Sequence, residues 1–221
     1  MYEVKEGIYL QGAKHRFMCE ILIEGKVEKC YVPSSCKLEK LISLTGEPVL
    51  VTPVKKKNSE LRYSLYAVKK RRSWILLNLS EANTVVGENL NKKCFGFLGS
   101  TKNMVYEKQI ENYKSDIFLP EEKLMVEIKT VLTEEEQGFF PGIKSERAKK
   151  QLEAIDKLLD KEYKACLLLM ALNPSTKRIA ISDELKDSVQ AAIDKGMVCK
   201  GFVIKFRNRK PTVGDEIEIV I

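Results

Sequence analysis

At 221 residues with 44% apolar content, the chain is long enough to bury one large core or two small ones. Its longest uninterrupted apolar run, residues 165–172, is far short of the roughly 20 residues that cross a bilayer, so no membrane span is predicted. The net charge is +7, and the whole excess lies in residues 1–80, where 15 Lys and Arg face eight Asp and Glu; the rest of the chain carries 23 of each sign. That asymmetry points to a polyanion engaged by the first third, since contacts to phosphates release counterions and drive sequence-independent binding. A solvated basic face is the plainer alternative.

The N-terminal stretch is interrupted by Glu3, Lys5 and Glu6 and lacks the apolar centre of a secretory signal, so a cytoplasmic location is expected. Six cysteines are scattered without CxxC or zinc-finger spacing, which predicts reduced, buried thiols. The single histidine, His15, cannot build a His-rich metal site and makes Ser-His-Asp hydrolysis improbable.

Residues 1–80 read as short strands separated by turns. "FMCEILIEGKVEKCYVP" alternates around Glu24-Gly25 as a hairpin, and further strands are predicted over 48–54, 62–68 and 73–79. A five-stranded OB-like barrel fits this length, an architecture that often presents basic and aromatic side chains to nucleic-acid strands. Within it, Lys55, Lys56 and Lys57 and then Lys69, Lys70, Arg71 and Arg72 bracket a strand that carries Arg62, Tyr63 and Tyr66. These basic residues are candidate phosphate contacts. The tyrosines suit stacking on unpaired bases and equally suit a barrel core.

From residue 81 helices and strands alternate, which predicts a second, α/β region over 81–221 packed against the first. "EANTVVGENL" is helix-compatible. In "SERAKKQLEAIDKLLDKEYK", Ala148, Leu152, Ile155 and Leu159 recur at helical spacing behind Ser145 as a cap. Another helix is expected from about Ser182 to Gly196, with Leu185, Val189 and Ala192 on one face. "SDIFL", "LMVEIKTVL", "ACLLLMAL" and "CKGFVIKF" are strand candidates.

Two of these strands carry carboxylates in apolar surroundings. In "MVEIK", Glu127 and Lys129 point to one face of a strand. A hairpin through "PEEK" would bring Asp116 beside Glu127, and a divalent cation would remove the desolvation penalty of two converging carboxylates. Mg²⁺ or Mn²⁺, held by Asp116, Glu127 and the Ile128 carbonyl with Lys129 beside it, would support phosphodiester hydrolysis. The spacing Asp-x10-Glu-x-Lys is the signature of the PD-(D/E)XK nucleases. A solvated Glu-Lys face is the alternative.

The order of these features resembles the sugar fermentation stimulation family, SfsA, whose members pair an OB-like N-terminal domain with a PD-(D/E)XK nuclease-like mixed sheet flanked by helices. The resemblance rests on "RFMCEILIEGKVEKCYVPSSCKL", on "WILLNLSEANTVVGENL" through Trp74, Asn78, Asn83 and Glu88, on "DIFLPEEKLMVEIKTVL", and on "GFFPGIKSERAKKQL". It implies Asp116 and Glu127 as metal ligands, Lys129 as the catalytic lysine, Glu88 as an additional acidic residue at the metal, and Arg147 as a phosphate contact. The segments Ser34-Ser35-Cys36, Tyr113-Lys114-Ser115 and Gly142 depart from the family pattern. The function so implied is metal-dependent hydrolysis of DNA or RNA, with sequence-independent binding by the barrel. The alternatives are a non-catalytic, regulatory DNA-binding protein of the same fold, or a scaffold that binds an acidic protein.

Overall fold

The computed structural model describes residues 4–34, 37–54, 60–79, 81–142 and 145–221. Six strands make the first sheet: β1 (Lys5–Gly12), β2 (Met18–Ile23), β3 (Lys26–Tyr31), β4 (Pro48–Pro53), β5 (Tyr63–Lys70) and β6 (Ser73–Leu76). Their order is β3-β2-β1-β4-β5-β6, and a parallel pairing of Cys30 with Tyr63 joins β3 to β5 and closes the first five into an OB-like barrel. The β2–β3 turn is the expected Glu24-Gly25, with φ of 51° and 78°, a pair of left-handed residues that matches the twist of a two-residue hairpin. The ring is not composed as the sequence suggested. β1, which the charged N-terminus obscured, is a member, and the strand expected over 73–79 shortens to β6 and lies outside it as an extension of β5.

Eight strands and three helices follow: α1 (Glu81–Asn89), β7 (Val105–Ile110), β8 (Tyr113–Leu119), β9 (Leu124–Val131), β10 (Gln137–Phe140), α2 (Glu146–Leu159), β11 (Lys164–Ala171), β12 (Arg178–Ile181), α3 (Asp183–Asp194), β13 (Val198–Arg207) and β14 (Lys210–Val220). They form one mixed sheet of order β10-β12-β14-β13-β11-β9-β8-β7, in which β9, β11 and β13 run parallel and the β7–β8 and β8–β9 pairs antiparallel. The central strand β11 is apolar on both faces because both are covered.

One face of this sheet meets the barrel and α1. Val126, Ile128, Leu168 and Phe202 join Tyr9, Leu50, Leu65 and Leu76 in a single apolar core. The other face is covered by α2 and α3. The Ser145 hydroxyl caps α2 by accepting from the Ala148 N–H at 3.2 Å. Its fully buried stripe is Ala148, Leu152, Ile155 and Leu158, while Leu159, which the sequence suggested for the last position, packs half-buried at its edge. In α3, Leu185, Val189 and Ala192 are buried as expected, while the Ser182 hydroxyl donates to the Pro141 carbonyl at 2.9 Å instead of capping. Among the described residues no helix is long and apolar enough to cross a membrane, and the five described cysteines are free thiols.

Candidate active site

Strands β8 and β9 form the hairpin that the sequence suggests, turning at Pro120–Lys123. Their ladder runs from Leu119↔Leu124 to Ile117↔Val126 and stops there. The next backbone donor on β9, the Ile128 N–H, is taken by a side chain: Asp116 Oδ2 accepts it at 2.8 Å. Asp116 Oδ1 accepts from Asn83 Nδ2 of α1 at 3.0 Å. N–H and C=O of one strand residue point to the same side, so the Ile128 carbonyl faces this gap as well.

Glu127 lies on the α2 side of the sheet and is only 2% exposed. Its Oε2 accepts a short hydrogen bond from the Tyr113 hydroxyl. Its Oε1 accepts from Gln151 Nε2 at 2.9 Å and pairs with Lys129 Nζ at 2.6 Å. Lys129 in turn donates to Gln151 Oε1 at 2.6 Å. Gln151, Glu127 and Lys129 therefore close one hydrogen-bonded ring, and Tyr113 of β8 holds the remaining oxygen of the buried carboxylate. Burial pushes the Glu127 carboxyl above the usual carboxylate range; Lys129 opposes that shift and the negative charge of Asp116 adds to it. Burial likewise raises the Tyr113 phenol, with the neighbouring Glu127 charge acting in the same direction, so the phenol remains the donor of the pair.

These groups form the floor of a cleft of about 1120 Å³. One wall comes from the start of α2, with Ser145, Arg147 and Lys150. The opposite wall comes from the barrel, with Arg16, Phe17, Tyr31 and Pro33.

Of the residues singled out in the sequence, Asp116, Glu127, Ile128, Lys129 and Arg147 all line this cleft. Glu88 does not. It is exposed on α1, about 140° around the helix from the residue that does reach Asp116, Asn83. The described part of the basic hairpin also lies elsewhere. Lys55, Lys56 and Lys57 fall outside the described residues, and none of Arg62, Tyr63, Tyr66, Lys69, Lys70, Arg71 or Arg72 lines the cleft. Arg62, Lys69, Arg71 and Arg72 are exposed. Tyr63 is half-buried with the Lys5 ammonium 5.9 Å from its ring centre. Tyr66 is 5% exposed and packs edge-on against Phe206 of β13, a core role. The Lys70 side chain is 15% exposed and is held between Glu47 of the barrel at 3.0 Å and Glu134 of the β9–β10 loop at 3.5 Å.

Tyr113, Gln151, Arg16, Phe17 and Tyr31 were not singled out for the site. The available signal for the barrel wall was "KHRF", residues 14–17, where basic and aromatic side chains interleave. Gln151 gave no signal beyond its place on the polar side of an amphipathic helix.

Two family models match the chain in tandem: the N-terminal OB domain of SfsA over residues 14–77, and the sugar fermentation stimulation protein RE domain over residues 80–209. The chain belongs to the SfsA family. Among SfsA relatives, a sugar fermentation stimulation protein homolog of Acetivibrio thermocellus is 23% identical over 217 residues, covering 94% of this chain and 93% of the relative. Another from Thermotoga petrophila is 29% identical over 166 residues, covering 75% and 71%. The structure of Pyrococcus furiosus SfsA in complex with Ca²⁺ superposes with a TM-score of 0.82 at 15% identity, over 99% of this chain and 96% of that one. The common SfsA fold is thus an OB-like barrel followed by a mixed sheet with helices.

Proposed function

We propose that this SfsA protein is a divalent-metal-dependent phosphodiesterase acting on nucleic acid. The reading is carried by one observation: the nearly inaccessible Glu127 carboxylate, with Lys129 beside it and Asp116 across the gap where the β8–β9 ladder stops, at the floor of an open cleft. The donor set fits a hard cation. Two carboxylates and a backbone carbonyl are the number of protein oxygens that Mg²⁺ takes when waters and a phosphate complete its shell. Among the described residues no three His, Cys, Asp or Glu side chains gather, so the protein alone supplies no complete cage. The Ca²⁺ in the P. furiosus complex supports a divalent ion at this fold.

Asp116, Glu127 and the Ile128 carbonyl would hold Mg²⁺ or Mn²⁺, which when bound supplies Lewis-acid stabilisation of charge on the phosphate oxygens. Lys129 orients the attacking water and offsets the negative charge that grows at phosphorus. Gln151 fixes the Lys129 ammonium relative to Glu127, and the Tyr113 phenol holds the second carboxylate oxygen, so neither charged group drifts from the floor. Arg147 and Lys150 line the α2 wall and would supply charge-assisted contacts to phosphates near the bond that breaks.

The test is incubation of the purified protein with plasmid, single-stranded DNA and RNA in Mg²⁺ or Mn²⁺. Nicking or digestion that EDTA and Asp116→Ala both abolish is the expected result. No cleavage of any substrate, or equal cleavage by the variant, removes the catalytic claim.

A second reading is favoured by the completeness of the hydrogen bonding: both oxygens of Asp116 and both of Glu127 already have protein partners. On that reading the protein binds nucleic acid without turnover, and its affinity falls steeply with salt.

A further inference from the structure

The barrel wall of the cleft has a chemistry that phosphate binding does not require. Phe17 and Tyr31 sit at the open end of the β2–β3 hairpin, where the Val32 N–H donates to the Phe17 carbonyl at 2.8 Å and Tyr31 pairs with Met18. The Arg16 guanidinium lies over the Phe17 ring, 4.6 Å from its centre, and the His15 ring packs against the same phenyl at 5.4 Å. Tyr31 is 39% exposed. Arg16, Phe17 and Tyr31 all line the cleft that holds Asp116 and Glu127 on its floor.

We propose that this wall is a stacking platform for unpaired bases, and that the substrate of the cleft is a single-stranded nucleic acid. The proposal rests on the phosphodiesterase reading for the role of the floor, and it adds the strandedness of the substrate. In a duplex the faces of the bases are stacked on one another, and its outer surface offers only phosphates, sugars and base edges. An exposed phenol and a phenyl backed by a guanidinium plane have no complement on that surface. Against a single strand each has a free base face to cover. The two walls then divide the work. Arg147 and Lys150 of α2 take phosphates, Arg16, Phe17 and Tyr31 take bases, and the backbone between them runs over Asp116 and Glu127. The Lys69–Arg72 turn, which does not line the cleft, is dispensable for this preference.

The experiment is fluorescence anisotropy of the full chain in EDTA, where metal-dependent turnover cannot intervene, with a fluorescein-labelled DNA oligonucleotide of mixed sequence and the duplex made from it. The expected result is binding of the single strand at least ~10-fold tighter than the duplex, with Tyr31→Ala and Phe17→Ala each weakening single-strand binding ~5-fold or more and leaving duplex binding within about twofold. Phe17→Trp, which keeps a stacking surface, should restore the preference. Should Phe17→Ala fail to fold, the exposed Tyr31 carries the test alone. Equal affinity for strand and duplex, or parent-like binding by the alanine variants, overturns the proposal. Metal-dependent cleavage of the single strand at the parent rate by both alanine variants would leave the phosphodiesterase reading standing without this one. Aromatic-dependent strand preference in a protein that cleaves nothing would do the reverse.

Discussion

Gln151 donates to Glu127 through its amide nitrogen at 2.9 Å and accepts from Lys129 through its amide oxygen at 2.6 Å, so one helix side chain sets both charged partners of the cleft floor. The geometry uses both ends of the amide, which neither Glu nor Lys could do at that position. Replacement by Ala should leave the 2.6 Å Glu127–Lys129 contact without its lateral support. The expected outcome is a roughly 10- to 100-fold loss of metal-dependent cleavage, the usual effect of removing a group that orients a ligand. Circular dichroism should show the fold retained. Undiminished turnover would mean that Lys129 and Glu127 hold their positions unaided.

Divalent cation should stabilise the folded chain, and Asp116 should be required for it. Asp116→Asn keeps the shape of the side chain: its oxygen can still accept from the Ile128 N–H, and Asn83 can rotate its amide to accept from the new NH₂. In the parent, Mg²⁺ or Mn²⁺ at a hundredfold excess over Kd should add roughly 2.7 kcal/mol to the unfolding free energy, and none in the variant. Differential scanning fluorimetry with and without EDTA measures both. An equal Tm increase in parent and Asp116→Asn would place the ion elsewhere.

Glu127 predicts a pH dependence whose sign follows from its burial. Its folded carboxyl is raised above the ordinary 4.5, so in the window above that value the folded chain keeps a proton that the unfolded chain has released. Stability therefore falls as pH rises through this window, and the cost is fully developed above the raised value. Glu127→Gln removes the titration. Its amide can donate to the Tyr113 oxygen, reversing the present hydrogen bond, so the ring around it survives. In EDTA, the Tm of the variant should match the parent near pH 4.5 and exceed it increasingly toward neutrality. A pH-independent difference between the two proteins would contradict the assigned direction.

Tyr66 and Lys70 test the join between barrel and sheet. Tyr66→Ala removes a buried ring that packs on Phe206 and should cost about 3–5 kcal/mol, read from urea unfolding. Lys70→Met keeps the alkyl stem and loses the pairs with Glu47 and Glu134; it should cost about 1 kcal/mol or less. Neither change should alter the salt dependence of nucleic-acid binding. A slope reduced by one ion in Lys70→Met would show that this lysine meets phosphate despite its partners.

What could be read from the chain before folding was local or periodic. The hairpin turn at Glu24-Gly25, the capped helix behind Ser145 and the apolar face of α3 each follow from spacing within a few residues. That Asp116 and Glu127 would border one cleft was also legible, because a tight hairpin ties side-chain direction to residue number. Gln151 was not, since nothing in sequence fixes which polar residue of α2 overhangs β9. That Lys69–Arg72 would lie away from the cleft was not legible for a related reason: clustering in sequence gives the number of charges on a barrel but not which rim of it adjoins the second sheet. Tyr66 and Lys70 sit on the joining side, and the free rim near the cleft belongs to the less conspicuous Arg16 and Phe17.

The apolar interior that runs unbroken from Tyr9 to Phe202 makes the two halves partners in one solvent-excluding body. Severing the chain after residue 79 should therefore leave each piece with a raw oily flank and a tendency to precipitate, whereas the intact chain should melt in a calorimeter as a single peak. The slot above Glu127, walled by both halves, should then keep its width whatever enters it.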